Sequence, residues 1–459
     1  MRAQAGVNNR HGKALSTAIS GLGLASDSPL IIGSEHSLCV RDVHSLAVSG
    51  EILAGRRVAL CMTQPYELIS AILACDGRVA AMLLLAPDLP AAHVAVLATQ
   101  ADIDLIISDR DDIDDAKPWQ VVAGWEEVDN VPPALNGDAD TRWLLTTSGT
   151  TGLPKMVEHD RASILRNVRA SGSGKDARWA MLYDPSRFAG TQVLAQALLS
   201  GGVLLVPDPD MSLAASVAWL AEQGCTHISA TPSLWRRILM APASRDLPLR
   251  QITLGGEIAD EAILTALAAR FPDARITHIY ASTETGTGFS VQDGKTGFPA
   301  EWLDKDMGDV ALSQRDGVLW LRPPAGAATQ GDHIQRDEQG YVCTCDAIEL
   351  RGDRVYFLGR EDASVNVGGV KVQIEAVEEV VHRHAQVAQC RISAKPNPIM
   401  GNLLSLSVVP RDAACDAAAL RKDITVWCKQ HLPRAAQPAT IRIVDEIAVT
   451  AAGKVERAQ

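Results

Sequence analysis

Short apolar runs alternate with amphipathic stretches along most of the chain. Arg57–Met62 reads as a strand, Pro65–Cys75 as an amphipathic helix and Ala80–Leu85 as a second strand. Ala91–Thr99 follows as a helix and Leu105–Ile107 as a third strand. Alternation at this spacing predicts right-handed βαβ units and a parallel sheet. The charged run Asp109–Ala116 (DRDDIDDA) reads as a solvated loop, and Asn130–Asp140, rich in Pro, Gly and Asp, as a connection. Helices are predicted over His159–Ala170, Leu213–Gln223 and Pro232–Leu239. Strands are predicted over Met181–Tyr183, Val203–Val206, Cys225–Ala230, Ile252–Leu254 and Ile276–Ile279. At Gly317–Arg322 and Tyr341–Asp346 the pattern becomes strands separated by turns, a smaller β-rich piece. The amphipathic helix Ile374–His384 then opens a compact terminal part that runs to Ile447.

At 459 residues the chain exceeds what one hydrophobic core organises, so two or more domains are expected. Its 47% hydrophobic and 21% charged content is ordinary for a globular protein. No apolar run approaches the roughly 18 residues that span a bilayer. A net charge of −12 argues against nucleic acid as a partner. From Ala363 onward there are 12 Lys/Arg against 9 Asp/Glu, so the terminal part is mildly basic and the rest strongly acidic. Nine scattered cysteines with no secretory leader before them predict reduced thiols and a cytoplasmic location. Cys343 and Cys345 in VCTCD would face one side of a strand. No second Cys/His pair stands at zinc-site spacing, which favours packing over metal ligation. His227, inside a predicted strand, likewise reads as a packed core histidine.

The stretch with the most chemistry is Leu145–Lys155, LTTSGTTGLPK, directly after the apolar Trp143 and Leu144. Thr146, Thr147, Ser148, Thr150 and Thr151 surround Gly149 and Gly152, and Pro154–Lys155 closes the run. Glycines let successive backbone N–H groups turn toward one anion, while hydroxyls and the lysine add donors. A flexible linker would neither follow an apolar strand nor end in Pro-Lys. The usual GKS or GKT of a P-loop is absent.

These residues resemble the phosphate loop of the adenylate-forming superfamily, which includes acyl-CoA synthetases, aryl-acid ligases, peptide-synthetase adenylation domains and luciferases. Further motifs follow in that family's order. Gly255-Gly256-Glu257 resembles its adenine-facing turn. Tyr280-Ala281-Ser282-Thr283-Glu284 resembles Y-G-x-T-E, with Ala281 in place of glycine. Thr344-Cys345-Asp346 resembles T-G-D, with Cys345 in place of glycine, and Gly359-Arg360-Glu361-Asp362 resembles G-R-x-D. Gly453-Lys454 near the end resembles the terminal G-K.

The resemblance implies an α/β fold: a large N-terminal domain of parallel βαβ sheets plus a small β-rich part, residues 1–361, and a small mobile α+β C-terminal domain, residues 362–459, hinged at Asp362. It implies ATP and Mg²⁺ as cofactors. Thr147–Gly152 and Lys155 would hold phosphates, Glu284 the metal, Thr283 an α-phosphate oxygen, Asp346 and Arg360 the ribose, and Lys454 the α-phosphate and carboxylate. Counting back from Gly201 places Arg187 where many acyl ligases have His, beside Phe188 and Gly190. With Gly255 and Ala281 these residues would line the acid pocket. Arg187 reads equally as a cation for the substrate and as a surface salt-bridge partner. Tyr183-Asp184-Pro185-Ser186 resembles the F-D-x-S signature of amino-acid adenylation, although Asp184 stands several residues farther from Gly201 than that motif requires.

The implied activity is ATP-dependent activation of a small, preferably aromatic, carboxylic acid as an acyl-adenylate. Transfer to the thiol of CoA or a carrier protein would follow, making the chain an acid–thiol ligase. Amino-acid adenylation for a carrier protein and a non-catalytic nucleotide-binding homologue remain the alternatives. The sequence does not fix the assembly state, and a homodimer is among those it allows.

Overall fold

A computed structural model describes residues 13–114, 119–123, 140–147, 153–168, 174–283, 285–305, 310–323, 336–361, 364–398, 400–412 and 414–447. Four sheets organise them. A six-stranded sheet runs in the order Gln120–Ala123, Leu105–Ser108, Arg57–Cys61, Ala81–Leu84, Arg142–Thr147, Lys155–His159. It is parallel except for its last pair, which is antiparallel. In an eight-stranded sheet the strands Arg275–Ser282, Gln251–Gly255, His227–Ala230, Arg178–Ala180, Val203–Val206 and Pro29–Gly33 are parallel neighbours, and antiparallel strands close both edges. The central strands of both sheets are buried at nearly every position, as in Ala81–Leu84 and Val203–Val206, because helices cover both faces.

The two sheets share one core. Leu60, Leu84, Ile107 and Leu145 from the first meet Leu30, Ile31 and Leu204 from the second, with the helices Pro65–Cys75 and Phe188–Leu199 between them. A five-stranded antiparallel sheet, Phe298–Pro299, Arg354–Arg360, Val342–Arg351, Val318–Arg322 and Ala311–Arg315, forms the smaller β part. The C-terminal sheet is built on the long hairpin Val387–Asn397 and Gly401–Pro410, and the helices Ile374–His382 and Ala417–His431 share its core. The expected parallel architecture, β-rich part and terminal α+β unit are all present.

The terminal unit meets the large one through a buried cluster. Asp260 is ion-paired with Arg236, and His382 Nδ1 lies 3.6 Å from its Oδ2. The Cys390 N–H donates to His382 Nε2 at 3.3 Å, so the ring proton sits on Nδ1, facing Asp260. Burial, helped by the Arg236 charge, pushes the His382 imidazole down to about 3.

Three local expectations are corrected. Lys155–His159 is a strand, with alternate positions buried, and the helix after it covers only Arg161–Leu165, capped by Asp160 accepting from the Ser163 N–H at 2.7 Å. The strand expected at Met181–Tyr183 lies earlier, at Arg178–Ala180, where it pairs with Val203–Leu205. The acidic run is more than a solvated loop. Asp109 accepts from the Thr63 and Gln64 N–H groups where the helix Pro65–Cys75 begins, and Arg110 Nη1 donates to the carbonyls of Pro87 and Leu89 at 2.9 and 2.7 Å. His227 does pack in its strand, its ring centroid 4.5 Å from that of Trp179. Burial and the charges of Arg250 and Arg275 push it down to about 4.

Candidate functional site

Thr147, Gly255 and Ser282 stand at the carboxyl ends of strands in the two large sheets, where open α/β sheets bind ligands. Trp143, Leu144, Leu145 and Thr146 are buried, which fixes the strand that leads to residues 148–152. Thr147 stands opposite exposed Lys155 across the antiparallel pair, so these two bracket residues 148–154. Ser148, Gly149, Thr150, Thr151 and Gly152 lie outside the described residues, as do Glu284, Asp362 and Lys454.

Arg187 reaches the same strand end. Its Nη1 donates to the Thr146 carbonyl at 3.0 Å and to Thr146 Oγ1 at 3.3 Å. Its Nε faces Asp184 Oδ2 at 3.7 Å, and the side chain is 22% exposed. It thus ties two segments together, ion-paired with Asp184 and hydrogen-bonded to the end of the strand Arg142–Thr147. Asp184 Oδ1 accepts from the Ser186 N–H at 2.9 Å, while Oδ2 accepts no hydrogen bond among the described residues. Burial pushes the Asp184 carboxyl up, and the Ser186 donors and the Arg187 charge pull it back. The Asp184 carbonyl lies 2.1 Å from where a Cβ on Gly190 would stand, so this glycine is required by the close approach of backbone. Phe188 starts the helix Phe188–Leu199, is buried, and stacks with His159 at 5.7 Å between centroids. Ala281 packs against the same core.

Gly255 ends the strand Gln251–Gly255 and is paired with Ile279, the neighbour of Tyr280. The Tyr183 hydroxyl donates to its carbonyl at 3.5 Å. Gly256 has φ +80°, a left-handed turn that favours glycine. Glu257 Oε2 accepts from the Ser233 N–H at 2.9 Å, in the first turn of the helix Pro232–Met240, where a carboxylate also complements the helix dipole.

Tyr280 lies parallel to Phe289 and Phe357, with centroids 5.1 and 5.3 Å away. Its hydroxyl donates to Asp346 Oδ2, and burial followed by that carboxylate's charge pushes the phenol well up. Asp346 is the direct cross-strand partner of Arg360. Beyond Tyr280, the Thr285 N–H donates to Ser282 Oγ at 3.1 Å, closing a turn with half-buried Thr283 inside it. Thus Tyr280, Asp346 and Arg360 meet, and the Gly255–Gly256 turn adjoins them through the Gly255–Ile279 pair. Sequence reading did not anticipate the Tyr280–Asp346 bond, the Arg187–Thr146 tie or the His382 cluster. Their partners are 66, 41 and 122 residues apart, and no local pattern marks them.

Comparison with known proteins gives two family matches: the AMP-binding enzyme model over residues 44–325, and the AMP-binding enzyme C-terminal domain over 376–454. The chain is 26% identical over 87% of its length to the probable non-canonical nonribosomal peptide synthetase CymA of Salinispora arenicola. It is 25% identical over 95% of its length to surfactin synthase subunit 1 of Bacillus subtilis. It spans only 6% and 13% of those two relatives. Among solved structures, the anthranilate CoA ligase AuaEII in complex with anthranoyl-AMP superposes with a TM-score of 0.79 at 16% identity, covering 96% of this chain and 95% of that one.

Proposed function

The chain belongs to the AMP-binding enzyme family, and on that premise we propose that it converts a small aromatic carboxylic acid and ATP into an acyl-adenylate and passes the acyl group to a thiol. The observation that carries this reading is the meeting of Asp346, Arg360 and the Tyr280 hydroxyl across two strands of the β part. A carboxylate there can accept both ribose hydroxyls, with a guanidinium opposite it.

Two anions must meet when a carboxylate oxygen attacks the α-phosphorus and pyrophosphate leaves, so positioned donors and cations are the main requirement. Thr147, residues 148–152 and Lys155 would hold the β- and γ-phosphates. Thr283 would donate to the α-phosphate, and Lys454 would neutralise the meeting oxygens. The Glu284 carboxylate is a hard oxygen ligand suited to Mg²⁺. Bound there, the ion would draw charge from the phosphates. No general base is needed for this half-reaction. We take residues 1–361 as the nucleotide- and acid-binding domain and 362–459 as a mobile domain turning at Asp362, which would withdraw Lys454 before the thiol attacks and AMP departs.

For the substrate, apolar Phe188 and Ala281 suit a flat ring, and the similar ligase AuaEII holds anthranoyl-AMP. Similarity to peptide synthetases favours a second reading, amino-acid adenylation. Against it, Asp184, the residue that would meet an α-ammonium, already faces Arg187. The acceptor is CoA or an acidic carrier protein, both of which suit a mildly basic terminal domain. ATP–pyrophosphate exchange over benzoates, short acids and amino acids tests the choice. Exchange with benzoates supports the main reading and exchange with amino acids alone the second. AMP binding without exchange on any acid would make the chain a non-catalytic homologue.

A further inference from the structure

Cys345 occupies the position where the family's T-G-D turn has glycine, and it adopts φ +59°, a left-handed conformation that costs a side-chain-bearing residue about 1 kcal/mol. The turn is a bulge: Val318 and Trp320 pair with Ala347 and Cys343, so Thr344, Cys345 and Asp346 together stand opposite Leu319. Thr344 Oγ1 anchors the bulge by donating to the Leu319 carbonyl at 2.7 Å. In a regular strand, alternate side chains stand apart on one face. Here the left-handed residue brings the Cys343 and Cys345 sulfurs to 3.9 Å. Both thiols are half-buried rather than sealed in the core that packing alone would give them. Cys61, Cys75, Cys225, Cys390 and Cys428, in contrast, are buried, and burial pushes each of those thiols up.

We propose that Cys343 and Cys345 form a reversible dithiol–disulfide pair that weakens nucleotide binding when oxidised. The consequence for nucleotide rests on the function proposed above. Asp346 follows Cys345 directly, and its N–H donates to Thr344 Oγ1 at 3.1 Å. Closing the disulfide draws the sulfurs from contact to bonding distance, which turns the bulge and moves the carboxylate away from the Tyr280 hydroxyl and Arg360. The oxidant is a low-molecular-weight disulfide. One cysteine thiolate attacks it and expels one thiol, leaving a mixed disulfide. The second thiolate then attacks the protein sulfur and expels the other thiol. Two protein thiols lose two electrons and two protons, and one small disulfide becomes two thiols. Such a pair would slow acyl activation when thiol acceptors are themselves oxidised.

The test equilibrates the full chain in glutathione buffers from reduced to oxidised, alkylates the remaining thiols, and reads peptide masses and AMP affinity on the same samples. The expected result is a Cys343–Cys345 disulfide within one peptide, two hydrogens lighter than the dithiol. AMP affinity should fall by about tenfold or more and return on reduction. C343S should keep the reduced-state affinity at every buffer ratio, and C345G should do the same without the strained turn. Independent alkylation of both thiols in oxidised buffer, or a disulfide with unchanged AMP affinity, overturns the proposal. Failure of the reduced chain to bind AMP would defeat the nucleotide reading instead, while the peptide masses decide the dithiol separately.

Discussion

Lowering the pH should loosen the contact between the terminal unit and the large one through His382. The imidazole lies between Asp260, itself paired with Arg236, and the Cys390 N–H, with Glu378 on its own helix accepting from the Ile392 N–H. Its value in place is about 3, against about 6.5 for an exposed histidine. A depressed histidine means that the docked state binds fewer protons than the undocked one. Docking is therefore at full strength above about pH 6.5, and stabilisation is lost as pH falls from there toward 3. The linkage relation gives a loss on the order of 1 kcal/mol at pH 5.5. Between pH 7.5 and 5.5 the closed-to-open ratio should fall about tenfold. Hydrogen exchange at the Cys390 amide, corrected for intrinsic rates, reads that ratio, because this N–H donates to the titrating nitrogen. His382→Gln, which cannot titrate, should show a flat protection factor over the same range. An unchanged Cys390 protection in the native chain, or an equal fall in His382→Gln, would refute the argument.

Three further outcomes follow from the site. Asp346→Asn keeps the shape but loses the charge, so AMP should bind about 10- to 100-fold more weakly, the worth of charge-assisted hydrogen bonds, measured by titration. Gly190→Ala puts a methyl group against the Asp184 carbonyl and should cost about 2–3 kcal/mol, seen as a lower melting temperature. Arg187→Met leaves the Asp184 carboxylate buried without its cation, and should destabilise the fold by about 3 kcal/mol, with Asp184→Asn restoring much of it in the double variant. Should Arg187→Met instead melt normally and lose only acid affinity, the guanidinium belongs to the substrate.

Much of the architecture was legible because buried parallel strands write themselves as unbroken apolar runs. Arg57–Cys61, Ala81–Leu84 and Val203–Val206 are such runs, and each is buried on both faces. The helix expected from His159 was started too early because His159, the buried last residue of the strand Lys155–His159, continues the apolar spacing of Arg161–Leu165, although Asp160 between them is the helix cap. The acidic run hid its function for a different reason. Charge density marks a segment as polar, but it does not say which carboxylate will meet the N–H groups of Thr63 and Gln64. The motifs told which residues to watch, yet not what holds them. Tyr280 was marked only as part of its motif, whereas its hydroxyl meets Asp346 and its ring lies against Phe289 and Phe357. Arg187 was read equally as a cation for the acid and as a salt-bridge partner, and spacing did not reveal that it faces Asp184 and donates to Thr146. Such ties depend on tertiary closeness between distant segments, which spacing along the chain does not encode.

The account stands or falls on whether Asp346, Arg360 and the strand-end turns serve one nucleotide. The most direct measurement is a crystal structure of the chain with AMP bound. The ribose hydroxyls should lie on the Asp346 carboxylate, the base beside Gly255 and Gly256, and the phosphate toward Thr283 and residues 148–152. AMP bound elsewhere, with the Asp346 carboxylate still holding the Tyr280 hydroxyl, would contradict it.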